Sequence, residues 1–248
     1  MEIKTIADVL IKLNEIIAVA EKTGSRQGYF AVLYKEMTFA VQQGILRNKF
    51  TDGPRMEKMD VIFAKRYIDA HEAYALGQKV TNGWQTAFDA CKRNDLAVIQ
   101  HLILGVNTHI NLDLAIATAE TAPGSAIMDM QADYEIINNI IASLVDDVQD
   151  KLTKVWWPLF FIRDIVNNRQ DAVINFSIVM ARKTAWASAV ALANVQGEGR
   201  EGYINTMDNT VTEVAHRIMK PGAFVNFILT FVKWFESKDV TKNIGLIK

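Results

Sequence analysis

One apolar segment of this sequence contains two histidines and an aspartate at a regular spacing. In HLILGVNTHINLDL, residues 101–114, the side chains of His101, Gly105, His109 and Asp113 lie four residues apart. Each step of four turns a side chain by only about 40° on a helix, so the four positions form one slowly drifting stripe. The surrounding residues are mostly apolar, which is typical of a buried helix. Buried imidazole and carboxylate groups need partners, and a metal ion is one such partner.

His109 and Asp113 form the strongest candidate metal site. At this spacing both side chains can reach one ion, and a nitrogen ligand with an oxygen ligand suits zinc, iron or manganese. His101 lies two turns earlier, about 12 Å along the helix axis. It would therefore serve a second ion or a neighbouring helix, or act as a general acid or base. The alternative is a structural network with partner helices, and the pattern leaves both interpretations open.

The same helix carries two asparagines and a glycine. Asn107 and Asn111 lie on its other side and could support the metal ligands from behind. We favour hydrogen bonds to neighbouring structure for both, because buried amides are first of all hydrogen-bonded. Gly105 leaves room for a close helix, a ligand or water.

A second group of candidate residues lies in FAKRYIDAHEAY, residues 63–74. Arg66 and Asp69 are three residues apart and can pair on one helical face. If this helix packs beside the first one, Asp69 could complete the metal site, and Arg66 could orient Asp69 or bind an anionic group. The alternative is an ordinary ion pair within the helix. Asp60, a few residues earlier, is interpreted as an exposed helix charge.

The composition restricts the classes of partner. The 248 residues have a formal net charge of −1, so no overall field favours nucleic acid or an anionic membrane. The single cysteine, Cys91, excludes an internal disulfide and fits a reducing compartment, so we expect a cytoplasmic protein. The longest apolar runs, residues 156–162 and 224–235, fall short of the roughly 20 residues that cross a bilayer. We interpret them as buried helices or as an interface between copies of the chain.

The apolar residues recur every three to four positions, which predicts an all-α protein. Helices are expected over residues 3–22, 27–46, 55–77, 83–93, 95–119, 126–153, 156–168, 170–195, 203–219 and 222–236. The glycine-rich segment Gly197–Gly202 is interpreted as a charged loop. Short linkers favour a single compact bundle of about ten helices over residues 1–248, with a weak alternative boundary near residues 123–124.

Two longer runs together resemble a known family. They are GYFAVLYKEMT…FTDGPRMEKMDVIFAKRYIDA, residues 28–70, and QHLILGVNTHINLDLAIA, residues 100–117. With the words R-Y-[IL]-D-A and H-L-x-L-G-x-N-x-H-I-N-x-D-L, the chain resembles a bacterial family known only as a domain of unknown function. The resemblance covers most of the first half and the second half loosely. It implies an α-helical protein and brings no established activity.

A looser similarity concerns the metal-binding helix of zinc-dependent phospholipases C and related single-strand nucleases. The pattern H-x3-G-x3-H-x3-D, here His101 to Asp113, is similar to helices in which an H-x3-D pair binds zinc. This chain has only His71 and His216 as further histidines, so the resemblance does not extend to a three-zinc site.

Two hypotheses follow. The first is a metal-dependent enzyme, a hydrolase by preference, in which His109, Asp113, Asp69 and His101 hold one or two ions and activate water. His101 and Arg66 are its candidate catalytic residues, and redox chemistry at iron is an alternative within it. The second is a non-enzymatic helical protein that binds a small molecule or a second copy of itself, and its histidine–aspartate stripe would be a structural network.

Overall fold

The regular structure of the chain is helical, as predicted. A computed structural model describes residues 2–141 and 170–248, and no strand occurs among them. The α-helices are α1 (Ile6–Thr23), α2 (Gln27–Leu46), α3 (Gly53–Ala75), α4 (Asn82–Ala90), α5 (Val98–Thr108), α6 (Ala115–Thr121), α7 (131–141), α8 (Gln170–Asn194), α9 (Gly197–Met219), α10 (Ala223–Phe235) and α11 (Val240–Ile247). The π-helical segment His109–Leu114 joins α5 to α6, and a 3₁₀ helix spans Gly124–Met130.

The first helices begin where local sequence signals place them. Thr5 caps α1 by accepting a hydrogen bond from Asp8 N, and the Asp8 carboxylate accepts one in return from Thr5 N. Asp52 caps α3 by accepting a hydrogen bond from Arg55 N, and Pro54 lies in the first turn. The apolar residues of α1 recur at spacings of three and four, and they are buried from Ile6 to Ala20. Periodicity and capping therefore locate these boundaries. Distant side chains add to them, because Glu57 accepts a hydrogen bond from Ile6 N, and Asp133 accepts hydrogen bonds from Thr51 N and Asp52 N.

The centre of the fold is the continuous helical stretch Val98–Thr121, made of α5, the π segment and α6. It contacts α2, α3, α4, α8 and α9. It is the one helix among the described residues long and apolar enough to span a membrane, yet 83% of its most apolar window is buried inside the protein. That degree of burial is typical of a core helix.

Glycine allows the closest contact with this central stretch. A Cβ atom added to Gly105 would lie 2.5 Å from the Phe30 ring of α2, so only glycine lets that aromatic ring approach. The predicted space beside Gly105 is thus filled by a neighbouring helix.

The structure corrects some expectations about the helices. Other expected helices lie outside the described residues. The segment Gly197–Gly202 is the start of α9, where Glu198 in the first turn is favourable beside the helix dipole. The helix α11 was not predicted. The expected helix 156–168 and the second part of the expected helix 126–153 lie outside the described residues. In the apolar run 224–235, Phe227 and Trp234 are exposed, so this run is not a buried helix among the described residues.

Candidate functional site

Asp113 lies at the centre of a buried hydrogen-bond network. Its Oδ1 accepts a hydrogen bond from Arg66 Nε at 3.0 Å, and its Oδ2 accepts one from Trp84 Nε1 at 2.9 Å. His109 Nδ1 lies 3.1 Å from the same Oδ2. The Asp113 side chain is 1% exposed, whereas Arg66 reaches the surface and is 27% exposed. Three helical elements, α3, α4 and the π segment, are therefore connected through one carboxylate.

This network fixes the orientation of His109. The Nδ1 atom donates to Asp113, because an ionised carboxylate can only accept, and in the neutral imidazole Nε2 is then an acceptor. Burial lowers the pKa of His109, and the hydrogen bond to Asp113 opposes that shift. The neutral form is thus the resting state. Among the described residues Nε2 has no hydrogen-bond partner.

Aromatic rings enclose the imidazole on several sides. The Phe63 ring stacks on it with centroids 3.7 Å apart and planes 9° apart, and the Tyr34 ring meets it edge-on at 4.3 Å. Phe30 and Trp84 complete the enclosure at centroid distances of 5.6 and 6.0 Å. The side chain is therefore held in one rotamer by packing as well as by Asp113.

The π-helical segment determines where His109 and Asp113 point. Its i→i+5 hydrogen bonds widen the turn that carries both residues, and such π segments occur frequently at functional sites. The sequence pattern predicted a regular α-helix here, because apolar spacing does not distinguish a π turn from an α turn.

The four predicted metal ligands do not come together. Asp69 is exposed and pairs with Lys65 at 2.6 Å instead of with Arg66. His101 is buried against the Tyr29 ring, and neither ring nitrogen has a hydrogen-bond partner among the described residues. Burial lowers the pKa of His101 to about 3. Within residues 2–141 and 170–248, no group of three or more histidine, cysteine, aspartate or glutamate side chains could hold an ion. Arg66 does join the predicted pair, but through Asp113.

The two asparagines have structural partners. Asn107 Nδ2 donates to the backbone oxygen of Val211 in α9 at 2.9 Å, and Asn111 Nδ2 donates to Asn107 Oδ1 at 3.0 Å. They connect the central stretch to α9 on the side away from α2 and α3. This is the arrangement favoured from the sequence for both residues.

A cavity lies on the other side of His109, and sequence reasoning did not find it. Its volume is about 40 Å³. Its apolar lining comes from α2, α3, α5, the π segment and α7: Phe30, Met37, Val41, Met59, Phe63, Val106, Ile110, Leu114, Ile137 and Ile141. The polar side chains on its wall are those of Tyr34, Thr38, Asp60, His109 and Arg182.

Several of these polar side chains lack hydrogen-bond partners at buried atoms. Among the described residues, Asp60 Oδ2, His109 Nε2 and Arg182 Nη2 are buried without a hydrogen bond, whereas the buried hydroxyls of Tyr34 and Thr38 interact with each other. Buried polar atoms are nearly always partnered, so a group of orphaned atoms around one cavity needs an explanation.

Asp60 was expected to be an exposed helix charge, and that expectation is wrong. Its side chain is only 4% exposed, and burial, with a contribution from Glu57, raises its pKa to about 7. The signal was present in the sequence: Met56 and Ala64, four residues to either side, both face the core. Asp60 therefore lies on the buried stripe of α3.

Arg182 in α8 is buried to 3% exposure on the opposite part of the wall. Its Nε donates to Asn138 Oδ1, and its guanidinium lies 4.9 Å above the Tyr134 ring. Arg182 and Trp186 are four residues apart, a spacing at which a guanidinium can stack on an indole. The ring beneath Arg182 is instead Tyr134, which itself packs against Trp186. Residue spacing within α8 could not reveal a partner that comes from α7.

The comparisons with known proteins agree with the resemblance in the sequence. A family model described as "Family of unknown function (DUF5995)" matches residues 6–221, which include every residue of the Asp113 network and of the cavity wall. The comparisons with curated proteins and with solved structures gave no match. The match extends over most of the 248 residues. The chain therefore belongs to this family of unknown function.

Proposed function

We propose that this protein binds a small organic molecule in the cavity beside His109. The observation that carries the proposal is the set of three polar atoms, on Asp60, His109 and Arg182, that have no hydrogen-bond partner among the described residues around one apolar cavity. A few converging polar groups in an otherwise apolar pocket are the usual composition of a ligand site. A ligand with one or two polar groups would partner these atoms, which otherwise destabilise the fold by about 1–3 kcal/mol each.

The cavity limits the size of that ligand. A buried water needs roughly 10–15 Å³ of such space, so 40 Å³ holds about three waters. The same space accepts an organic molecule of about three or four non-hydrogen atoms. The competing occupant is a cluster of ordered water, which would partner the same atoms without any specific ligand.

The Asp113 network supports the site without entering it. Asp113 uses both oxygens on Arg66, Trp84 and His109, so it holds the imidazole in place and leaves Nε2 facing the cavity. An acceptor of this kind binds a ligand hydroxyl, an amide N–H or water.

Ligand binding can be tested on the untagged protein by thermal unfolding and by ligand-observed NMR. The probes are ethanol, acetone, acetamide and acetate, which all fit the volume. We expect at least one probe to raise the melting temperature in a saturable manner. Thr38→Leu, which fills part of the cavity, should abolish that response, whereas Thr206→Leu on the exposed side of α9 should retain it. If no probe binds to the wild-type protein, the proposal is wrong.

The metal-dependent hydrolase predicted from the sequence is the second candidate. A single observation favours it: His109 donates Nδ1–H to a carboxylate and has a free Nε2, which is how most metal-bound histidines are oriented. Asp60, and not Asp69, is the carboxyl that shares the cavity with Nε2. Elemental analysis of untagged protein decides this candidate, since stoichiometric zinc, iron or manganese that disappears in His109→Ala would support it, and metal-free protein would exclude a resident ion.

Location and assembly stay predictions from the sequence. We infer a cytoplasmic, bacterial protein with no nucleic-acid partner, and a homo-oligomer is compatible with the exposed aromatic side chains of α10.

A further inference from the structure

The buried Arg182 has an unusual environment for an arginine. The side chain is 3% exposed, and among the described residues no carboxylate pairs with it. Its contacts are the Asn138 side chain and the Tyr134 ring, which are both uncharged. Buried arginines are normally paired with an anion, because an isolated charge is costly to remove from water.

No described residue of the cavity wall supplies a fixed negative charge that compensates this cation. Asp60 is the only carboxyl among the described lining residues, and its burial disfavours the ionised form. Tyr34 is likewise buried, and burial raises its pKa well above the usual value. The cavity thus contains one guanidinium, apolar side chains and polar groups that are largely neutral.

The free part of the guanidinium belongs to the cavity. Nε is engaged by Asn138 and one face of the group covers the Tyr134 ring, whereas Nη2 is buried without a partner. A guanidinium with a free N–H beside a mostly apolar cavity is suited to a carboxylate, which accepts charge-assisted hydrogen bonds. The apolar body of such a ligand would contact the aliphatic side chains of the lining.

We propose that the ligand of this cavity is a small monocarboxylate of the size of acetate, whose carboxylate binds Arg182. This inference rests on the proposed function, because it names the chemical class of the molecule that the cavity takes. The size limit and the single uncompensated cation are the two observations behind it.

Matched probes separate charge from shape. Acetate and acetamide have the same number of non-hydrogen atoms and nearly the same shape. Ligand-observed NMR titrations of wild-type protein should show acetate binding at least tenfold more tightly than acetamide. If acetamide binds as tightly as acetate, this inference is wrong and the binding cavity still stands. If neither kind of probe binds, both the inference and the proposed function fail.

Variants of Arg182 then locate the carboxylate. Arg182→Lys keeps the charge but lacks the planar N–H groups, so acetate binding should weaken several-fold, and Arg182→Met should abolish the preference for acetate over acetamide. Arg200→Met removes an arginine that pairs with Glu120 outside the cavity, and it should bind like the wild type. Retained acetate preference in a folded Arg182→Met variant would overturn the assignment. The wild-type comparison of acetate with acetamide decides the matter if that variant does not fold.

Discussion

The buried polar groups on the two sides of His109 differ in whether they have partners. On the Asp113 side, one carboxylate receives hydrogen bonds from Arg66, Trp84 and His109. On the cavity side, the groups of Asp60 and Arg182 each retain an unpartnered atom. A fully connected polar network stabilises and specifies a core, whereas a half-connected one destabilises it. The first region therefore stabilises the fold. In the second region, the described residues leave hydrogen-bonding atoms available to a ligand.

Other buried aspartates belong with the first region. Asp133 accepts hydrogen bonds from Thr51 N and Asp52 N at 2.7 and 2.8 Å, just before α3 begins. Asp208 does the same for Asn82 N and Gly83 N at the start of α4, at 2.8 Å each. Both attach a helix start to a distant part of the chain. Both carboxylates accept hydrogen bonds, whereas Asp60 Oδ2 has no partner among the described residues, so Asp60 differs from these structural aspartates.

Removal of Asp113 should have the largest effect on stability. Asp113→Ala leaves Arg66, Trp84 Nε1 and His109 Nδ1 without their acceptor, and we expect a loss of about 5 kcal/mol in the free energy of unfolding. Urea denaturation measures it. The matched control is Asp69→Ala, which removes an exposed pair with Lys65 and should cost under about 0.5 kcal/mol. Similar losses in the two variants would contradict the distinction between the network and the surface.

Asp60 should make stability fall as the pH rises. Its pKa is about 7 in the folded protein against 3.8 for an ordinary aspartate, so the folded state binds the proton more tightly. The stability that this group contributes is fully present below pH 3.8 and is lost as the pH rises through about 7. Relative to Asp60→Asn, the wild type should lose about 3 kcal/mol between pH 5 and pH 8. Parallel pH profiles for the two proteins in urea denaturation would show that Asp60 is not buried in this way.

The two histidines of the central stretch should respond oppositely to substitution. His101 has two buried nitrogens without partners, so His101→Phe should raise the free energy of unfolding by about 1–2 kcal/mol. His109→Phe should lower it by a similar amount, because Asp113 loses a donor. Since burial lowers the pKa of His101 to about 3, its cost appears as the pH falls from about 6.5 through 3, and the gain from His101→Phe should grow there. Thermal unfolding at pH 7 and pH 5 measures both effects, and a destabilised His101→Phe would show that the ring has partners.

The smallest effect should come from a hydroxyl on the cavity wall. Thr38→Val removes a buried hydroxyl whose neighbour is the buried Tyr34 hydroxyl, and the free energy of unfolding of the ligand-free protein should change by under about 0.5 kcal/mol, because this contact has poor geometry. Thr118→Val is the matched control, because Thr118 donates to Leu114 O at 2.7 Å and should lose about 1 kcal/mol. Differential scanning calorimetry of both variants measures the two changes. A loss in Thr38→Val equal to that in Thr118→Val would mean that the Thr38 hydroxyl makes a well-formed hydrogen bond.

Much of the helical fold could be predicted because its signals are local. The spacing of apolar residues predicted the first helices to within a few residues, and the Thr5 and Asp52 caps seen at their starts are local as well. The start of α9 was mispredicted because glycines in GEGREG suggest a loop. Tertiary contacts override that weak preference, among them the pair between Arg200 and Glu120.

The candidate site was predictable only in part. The stripe on residues 101–114 predicted that His109 and Asp113 are adjacent and buried, and they are. The same reasoning assigned Asp69 to the site, although residue spacing also allowed the pair with Lys65 that the structure contains. Trp84, which donates to Asp113, and Arg182, which lies on the cavity wall, belong to other helices, so the local sequence pattern could not predict their roles.

The sequence by itself determined that this protein is helical, that residues 101–114 form a buried polar stripe, and that His109 and Asp113 share one face. These properties depend on residues within two turns of each other, where helix geometry fixes the distances. Only the tertiary structure decided that Asp113 is saturated by Arg66 and Trp84 and that the free side of His109 faces a cavity with Asp60 and Arg182 on its wall. The reason is physical: whether a buried polar group has a partner depends on which helices pack against it.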